Sequence, residues 1–390
     1  MFWPAESEVL HLASSLFVTA ASLGCIYLLA ASFAVYNFPQ RRRCTPAAAM
    51  PVTVLKPLHG AEPRLAERLA SFLHQTYDGP VQMICGVRDA SDPAIAAATQ
   101  VASDNPQANI DIRIDPRECG SNRKVSNLIC IFPMARHDTI VISDSDIEVG
   151  SRYLADVTAE LARPGVGAVT CVYHGVAGSG FWSRQAALAI NTHFLPNVIT
   201  AVTFGLAQPC FGATIAMRRT VLARIGGFQP FADYLADDYA IGAAVRNAGW
   251  TVSIAPFSIG HVCFAATLNA MLANELRTAR TVRSIDPVGY CGTIITHPFP
   301  LALIGALLGG GYNAIALAVF AMACRGTLGR STEKAFGLEW QPYWLMPLRD
   351  LLSFAVFVLS FFGATVSWRG TRYRVSPDGR LTPAPNRARS

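Results

Sequence analysis

Thr139-Ile140-Val141-Ile142-Ser143-Asp144-Ser145-Asp146 is the stretch that decides the fold. A short apolar run ends in two carboxylates two residues apart. Such a run, bounded by polar residues, reads as a strand buried on both faces. Two carboxylates placed where a buried strand meets solvent form a site for a hard cation. Oxygen ligands suit Mg²⁺ or Mn²⁺, and those ions commonly hold phosphates as well. In isolation the same residues equally suit an ordinary acidic turn, so the flanking sequence must decide.

On both sides short apolar runs alternate with helical patterns. Val52 to Leu55, Val81 to Val87, Ile110 to Ile114 and Gly167 to Val172 are further expected strands. Arg64 to His74 carries Leu65, Leu69, Phe72 and Leu73 on one helical side. Asp92-Pro93 opens a helix from about Ala94 to Ala102, with Pro in its first turn. The alternation predicts an α/β fold with a mainly parallel sheet flanked by helices. Ligands of such sheets bind beyond the carboxyl ends of the strands. Lys56, Asp89, Asp92, Asp144 and Asp146 all fall at such ends, which points to an enzyme.

The chain has 390 residues, 52% of them hydrophobic, and the apolar excess is concentrated in three zones. Leu10 to Phe38 holds no Asp, Glu, Lys or Arg and is long enough to cross a bilayer with tilt. It is too long for a signal peptide, and Glu6 and Glu8 precede it where basic residues would be needed. Arg41-Arg42-Arg43 follow at once, so the positive-inside rule puts the sequence beyond them in the cytoplasm. A second zone, Ile294 to Cys324, is interrupted by Gly309-Gly310-Gly311 and allows one tilted span, two short ones or a re-entrant hairpin. A third runs from Tyr343 to Val366. The expected organisation is a transmembrane anchor over 1–44, a cytoplasmic domain over 45–290, a C-terminal transmembrane region over 291–368 and a basic tail over 369–390. Within the domain, 267–283 reads as an amphipathic interfacial helix.

The net charge of +6 sits in the Arg41–Arg43 triplet and the Arg-rich tail, beside the membrane. The globular stretch shows no basic face, so nucleic acid is not an expected partner. Ten cysteines show no paired metal-binding spacing; His261 and Cys263 lack the other half of a zinc site. Most are expected to be small buried hydrophobes in a reducing compartment.

Further acidic and basic groups need the same explanation. Asp237-Asp238 follow Cys210-Phe211-Gly212-Ala213-Thr214-Ile215-Ala216-Met217-Arg218-Arg219, and Arg277 and Arg280 stand on the interfacial helix. With Val54-Leu55-Lys56-Pro57-Leu58-His59-Gly60, Gly86-Val87-Arg88-Asp89-Ala90-Ser91-Asp92-Pro93, Lys124-Val125-Ser126-Asn127-Leu128, His193 and Ser367-Trp368-Arg369-Gly370-Thr371-Arg372-Tyr373-Arg374, the order resembles the GT-A glycosyltransferases of the family 2 clan. Within that clan the chain is most similar to the ceramide glucosyltransferases of family 21, over nearly its whole length. A bacterial branch that acts in hopanoid biosynthesis resembles it as well.

The resemblance implies a GT-A nucleotide-sugar-binding sheet on the cytoplasmic face of a multi-pass membrane protein, in a bacterial inner membrane. It implies inverting transfer of one sugar, glucose or N-acetylglucosamine, from a UDP-sugar to a lipid hydroxyl, with a hopanoid or ceramide as acceptor. Asp92 and Asp89 match the family's first acid near the nucleotide. Asp144 and Asp146 match the metal and diphosphate ligands, although many family 21 members have another residue at the position of Asp146. Asp238, with Asp237 beside it, matches the general base, and His193 a residue near the sugar or acceptor. Lys56 and Lys124 are expected at the nucleotide or its phosphates. Arg277 and Arg280 match the (Q/R)xxRW motif, with Thr281 in place of its Trp.

The chemistry agrees with that assignment. The leaving diphosphate gains charge that a divalent cation and paired guanidiniums neutralise. An acceptor hydroxyl is a poor nucleophile, so a carboxylate takes its proton. Two other classes remain open. A processive polysaccharide synthase would carry the missing Trp and more spans. A non-catalytic transporter or receptor would carry charged residues at the membrane midplane, where only Arg349 and Asp350 stand near one end of a span.

Overall fold

The structure, a computed structural model, describes residues 4–40, 49–363, 365–368, 371–376 and 380–383. The Arg41–Arg43 triplet and most of the basic tail lie outside them.

Eight strands form one sheet: β1 (Val52–Pro57), β2 (Val81–Val87), β3 (Asn109–Ile114), β4 (Thr139–Ile142), β5 (Ile147–Glu148), β6 (Val166–Ala177), β7 (Ile215–Arg218) and β8 (Thr251–Cys263). Their order is β3-β2-β1-β4-β7-β6-β8-β5. Alternation along each strand sorts side chains to opposite faces. Val54 and Val141 face one layer, with α2 (Leu65–Ser71), α3 (Ala94–Asp104) and α5 (Tyr153–Leu161). Leu55, Ile140 and Ile142 face the other, with α4 (Arg123–Ile131), α8 (Arg219–Arg224) and α9 (Asp237–Asn247). Both faces are covered, which is why β1, β2 and β4 read as mostly apolar runs, with the buried Thr53 and Gln82 bonded to each other.

The sheet is mixed rather than parallel throughout. β3, β2, β1 and β4 are parallel, as the alternation of runs predicts. β7 then runs antiparallel to both β4 and β6, and β5 antiparallel to β8. The antiparallel insertion matters for function. Ile215, at the start of β7, pairs with Ile142 at the end of β4. The residues that lead into β7 therefore arrive beside Asp144.

The membrane part begins with α1 (Pro4–Asn37), about 51 Å long at the standard helical rise. Val9, Leu12, Leu16, Ile26 and Phe33 on it are exposed and apolar. Its other side packs on α12 (Pro298–Gly305) and α13 (Gly311–Phe336), as Ala21 does with Leu301 and Ala318. The glycine triplet reverses the chain: Gly309 leaves helical geometry at φ 101°. Leu301 then packs near Ala318, and Arg325 reaches back to the Thr296 carbonyl. The chain doubles back here, which removes the single tilted span and leaves two short spans or a re-entrant hairpin.

Between β6 and β7, α6 (Phe181–Ala189), a π-helical turn (Ile190–Phe194) and α7 (Leu195–Thr203) form a continuous helical segment. It packs against α1 and α13 through Leu195 and Ile199. After β8 come α10 (Leu268–Ile285), α11 (Pro287–Gly292) and, past the hairpin, α14 (Met346–Ser360). α14 lies along α10. Arg349 near its start pairs with Glu275, and Arg280 and Arg283 donate to the carbonyls of Phe362 and Gly363 just past its end. Among the described residues, the helical stretches Glu8–Asn37, Pro298–Phe336 and Tyr343–Ser360 are long and apolar enough to cross a membrane, the second of them doubling back at Gly309.

Candidate active site

β4 delivers Asp144, and its carboxylate accepts from Lys124 Nζ at 2.7 Å. Lys124 stands in the first turn of α4, whose start is capped by Asn122; the Asn122 side chain accepts from the backbone N–H groups of Lys124 and Val125. The same ammonium lies 3.3 Å from Asp237 Oδ2. Asp237 and Asp238 occupy the first turn of α9, where the helix dipole favours negative charge. Asp238 accepts from the backbone N–H of Gly212 and of Tyr239, both at 2.8 Å. Gly212 is the floor on which these groups meet. A Cβ there would lie 2.7 Å from Lys124 Nζ, 3.1 Å from Asp144 Oδ2 and 3.5 Å from Asp238 Oδ2.

Asp146 faces His261 on β8, with 3.6 Å between Oδ2 and Nδ1. Burial pushes its carboxyl up, but His261, Lys56 and Arg68 outweigh that and hold it at about 2. Burial would lower His261, and Asp146 outweighs it and raises the imidazole. Tyr173 packs on the His261 ring at 5.2 Å and stacks on Phe194 at 4.7 Å. Burial pushes Asp238 up to about 6, helped by the charge of Asp237 and opposed by Lys124. Asp144 is also raised, first by burial. For Lys124 the three nearby carboxylates Asp144, Asp237 and Asp238 outweigh burial, and the ammonium is held well above its ordinary range. Burial lowers Arg277, opposed by Tyr173, Asp144, Asp146 and Asp238, so its guanidinium is within electrostatic reach of the same acids.

A divalent cation fits this donor set. Asp146 Oδ1 is buried without a hydrogen-bond partner, an acceptor left open beside Asp144. Among the described residues no three His, Cys, Asp or Glu side chains group closely enough to hold an ion unaided. An ion resting on one or two carboxylates, and completed by substrate phosphate and water, is the usual arrangement for Mg²⁺.

The remaining expected site residues lie differently. Lys56 is fully buried beneath the turn. It donates to the Asp144 carbonyl at 2.6 Å and sits 4.0 Å above the Phe72 ring. It supports the acidic turn from below. Asp89 is exposed and turned onto Ser91, accepting from its N–H and hydroxyl at 2.8 Å each. Asp92 accepts from Gly60 N–H at 2.9 Å and Ala94 N–H at 2.9 Å, tying the loop after β1 to the start of α3. Arg280 points away from Arg277 and donates to the carbonyls of Phe362 and Thr365. Three residues advance a helix by about 300°, so the two guanidiniums diverge by about 60° and find different partners. His193 is buried in the π-helical turn, 2.7 Å from Asp350, and its ring stacks on His297. Arg325 completes that cluster against Asp350.

Four participants went unassigned in the sequence. Gly212 precedes β7 and His261 lies within β8, strands that carry no clear strand pattern. Arg68 donates to the Ser145 carbonyl at 2.9 Å, and Glu62 accepts from the Ser145 hydroxyl at 2.6 Å. These two gather under the turn from α2 and the loop before it, and the pairing shows only once the chain is folded.

The model of the family described as Glycosyl transferase family 21 matches residues 16–381. Ceramide glucosyltransferase 1 of Caenorhabditis elegans is 21% identical over 97% of this chain and 82% of its own length. Ceramide glucosyltransferase 3 of the same organism is 22% identical over 94% and 82%. Among solved structures, a mannosyltransferase from Pyrobaculum calidifontis, in complex with GDP-Man and Mn²⁺, superposes with a TM-score of 0.52 at 20% identity, over 90% of this chain and 99% of that one. That likeness carries the fold, a GT-A glycosyltransferase sheet flanked by helices. The chain belongs to glycosyl transferase family 21.

Proposed function

We propose that this enzyme transfers one sugar from a UDP-sugar to the hydroxyl of a membrane lipid with inversion, at a cytoplasmic site beside the bilayer. The observation that carries the reading is the meeting of Asp144, Lys124 and Asp238 over Gly212 at the carboxyl end of β4. The names of the nematode relatives support a lipid acceptor, and the Mn²⁺ and nucleotide sugar of the archaeal enzyme support a cation-assisted site. Asp144 and Asp146 would hold a divalent cation, Mg²⁺ or Mn²⁺, which supplies neutralisation of the charge that gathers on the departing diphosphate.

The chain's own residues divide the remaining work. Asp238, ionised above about pH 6, takes the acceptor's proton as the hydroxyl attacks. Asp237 and Asp144 hold Lys124 in place, and its ammonium is a point charge for a phosphate oxygen. Arg277 contributes a second cation toward the leaving group. Lys56 and Arg68 fix the Asp144–Asp146 backbone through its carbonyls. Thr281, in place of a chain-stacking Trp, favours a single transfer over polymer synthesis. The acceptor is a hopanoid or a ceramide, the former favoured by the complete acidic pair and the missing Trp.

The test incubates membranes carrying the protein with labelled UDP-glucose or UDP-N-acetylglucosamine and a lipid panel that includes both acceptor classes, with mass spectrometry of the product. One sugar on one lipid is expected, and Asp144→Asn should abolish it. A polymeric product, or turnover unchanged in Asp144→Asn, would refute the reading.

A further inference from the structure

α10 carries Arg277 and is gripped by α14. The Glu275 carboxylate accepts from Arg349 Nη1 at 3.0 Å and from Arg349 Nη2 at 2.9 Å. Arg349 is fully buried, and the Glu275 side chain is 20% exposed. The same guanidinium lies 3.5 Å from Met271 Sδ, one turn earlier on α10, and 3.4 Å from the Gln185 carbonyl of α6. A two-pronged arginine–carboxylate pair fixes angle as well as distance. When it is buried, loss of either partner leaves an uncompensated charge, so the geometry is held firmly. Further along, Arg280 holds the carbonyls of Phe362 and Thr365, at 2.9 Å each. α10 is thus pinned on both sides of Arg277, which stands two residues past Glu275 and keeps its guanidinium beside Asn274, at 2.8 Å. A small rotation of α10 about its axis would sweep the long Arg277 side chain away from Asp144 and Asp238. Each residue of rotation corresponds to about 100°.

We propose that the Glu275–Arg349 pair is a positioning device: it sets the rotation of α10 so that Arg277 reaches the diphosphate of the donor. The inference rests on the reading of Arg277 as a diphosphate contact. It makes α14 a working part of the donor site as well as part of the membrane region. Arg349 and Glu275 touch no reacting atom in this scheme; they act through Arg277.

The test measures the affinities of UDP and of UMP by calorimetry on the full-length protein in nanodiscs with Mn²⁺. UMP lacks the distal phosphate, so a lost diphosphate contact weakens UDP selectively, whereas general damage weakens both. Arg277→Met, Glu275→Gln and their double variant are compared, with Arg349→Lys and Glu275→Asp as milder changes that keep the charges. Arg277→Met and Glu275→Gln should each weaken UDP about tenfold or more. UMP should change less than about twofold, and the double variant should be no weaker than Arg277→Met alone. The proposal is overturned if Glu275→Gln leaves UDP affinity intact, lowers UDP and UMP equally, or adds its effect to that of Arg277→Met. Should Glu275→Gln not fold, Glu275→Asp and Arg349→Lys decide by the same UDP-to-UMP ratio. If Arg277→Met itself leaves UDP unaffected, the donor-site reading fails along with the proposal, a result distinct from failure of Glu275 alone.

Discussion

Replacing Gly212 with Ala puts one methyl group at the centre of the site. The new Cβ would stand 2.7 Å from Lys124 Nζ and 3.1 Å from Asp144 Oδ2. Ordinary contact needs roughly 1 Å more for the ammonium. Lys124 ends a flexible chain, so it can yield, but in doing so it leaves its 2.7 Å contact with Asp144. A displaced ammonium also loses its charge-assisted bond to the leaving phosphate; such a bond contributes about 1.5–3 kcal/mol, which converts to roughly ten- to hundredfold in kcat/KM. The methyl also fills the floor over which the donor's phosphates must pass, so a loss of about hundredfold or more is expected. The lost contact with Asp144 sets the stability cost at no more than about 1.5–3 kcal/mol, because an alanine otherwise fits this backbone and the crowded atom ends a flexible chain. The assay is UDP-sugar turnover in detergent micelles, alongside thermal unfolding of the same preparation. Activity within about threefold of wild type at an unchanged Tm would refute the reasoning, since the space over Gly212 would then not be where reacting groups gather.

Three further outcomes are expected. Asp238 must be ionised to accept a proton, and burial has pushed it up to about 6, so kcat/KM should rise with pH through about 6 and level off above it. Asp237→Asn removes a neighbouring negative charge and should shift that rise to lower pH; a rise centred near the ordinary carboxyl range in the unaltered enzyme would sink the base assignment. Stripping divalent cations with EDTA should abolish transfer, and Mn²⁺ or Mg²⁺ should restore it; persistence of activity after exhaustive chelation would contradict the role given to Asp144 and Asp146. Asp350→Asn leaves the fully buried Arg325 facing a neutral partner and should lower stability by about 3–5 kcal/mol, seen as a fall in the unfolding midpoint, with kcat of the remaining folded enzyme largely kept. A kcat loss without a stability loss would instead place the His193 cluster in the chemistry.

The parallel half of the sheet was readable because β1, β2 and β4 are buried on both faces and stand out as short apolar runs. β8 was not, for a local reason. Its register with β6 jumps where Cys171 pairs with Ala255 and Val172 with Ser258, which leaves Pro256 and Phe257 out of the pairing. A proline tolerated at such a bulge makes a long strand look like two broken ones. That Asp144 follows a buried strand was legible from the apolar run before it, and the structure places it just past β4. The burial of Lys56 was not legible, because position at a strand end does not say whether a long side chain turns outward or folds beneath the loop. Arg280 shows the same limit on a helix, where a shared face means a shared half-cylinder and does not guarantee a shared target.

The first helix is built into the fold through the hairpin and the helical segment before β7. Gly24 lies so close to the backbone of Ile295 and to Pro298 that no side chain would fit there, Ser14 donates to the Gly305 carbonyl of the hairpin, and Leu28 and Val35 pack in one cluster with Val172 of the sheet. It follows that this segment is not an exchangeable tether. Clipping it off to obtain a soluble fragment would uncover the underside of the transferase sheet itself, and swapping in a generic apolar span would leave knobs without sockets.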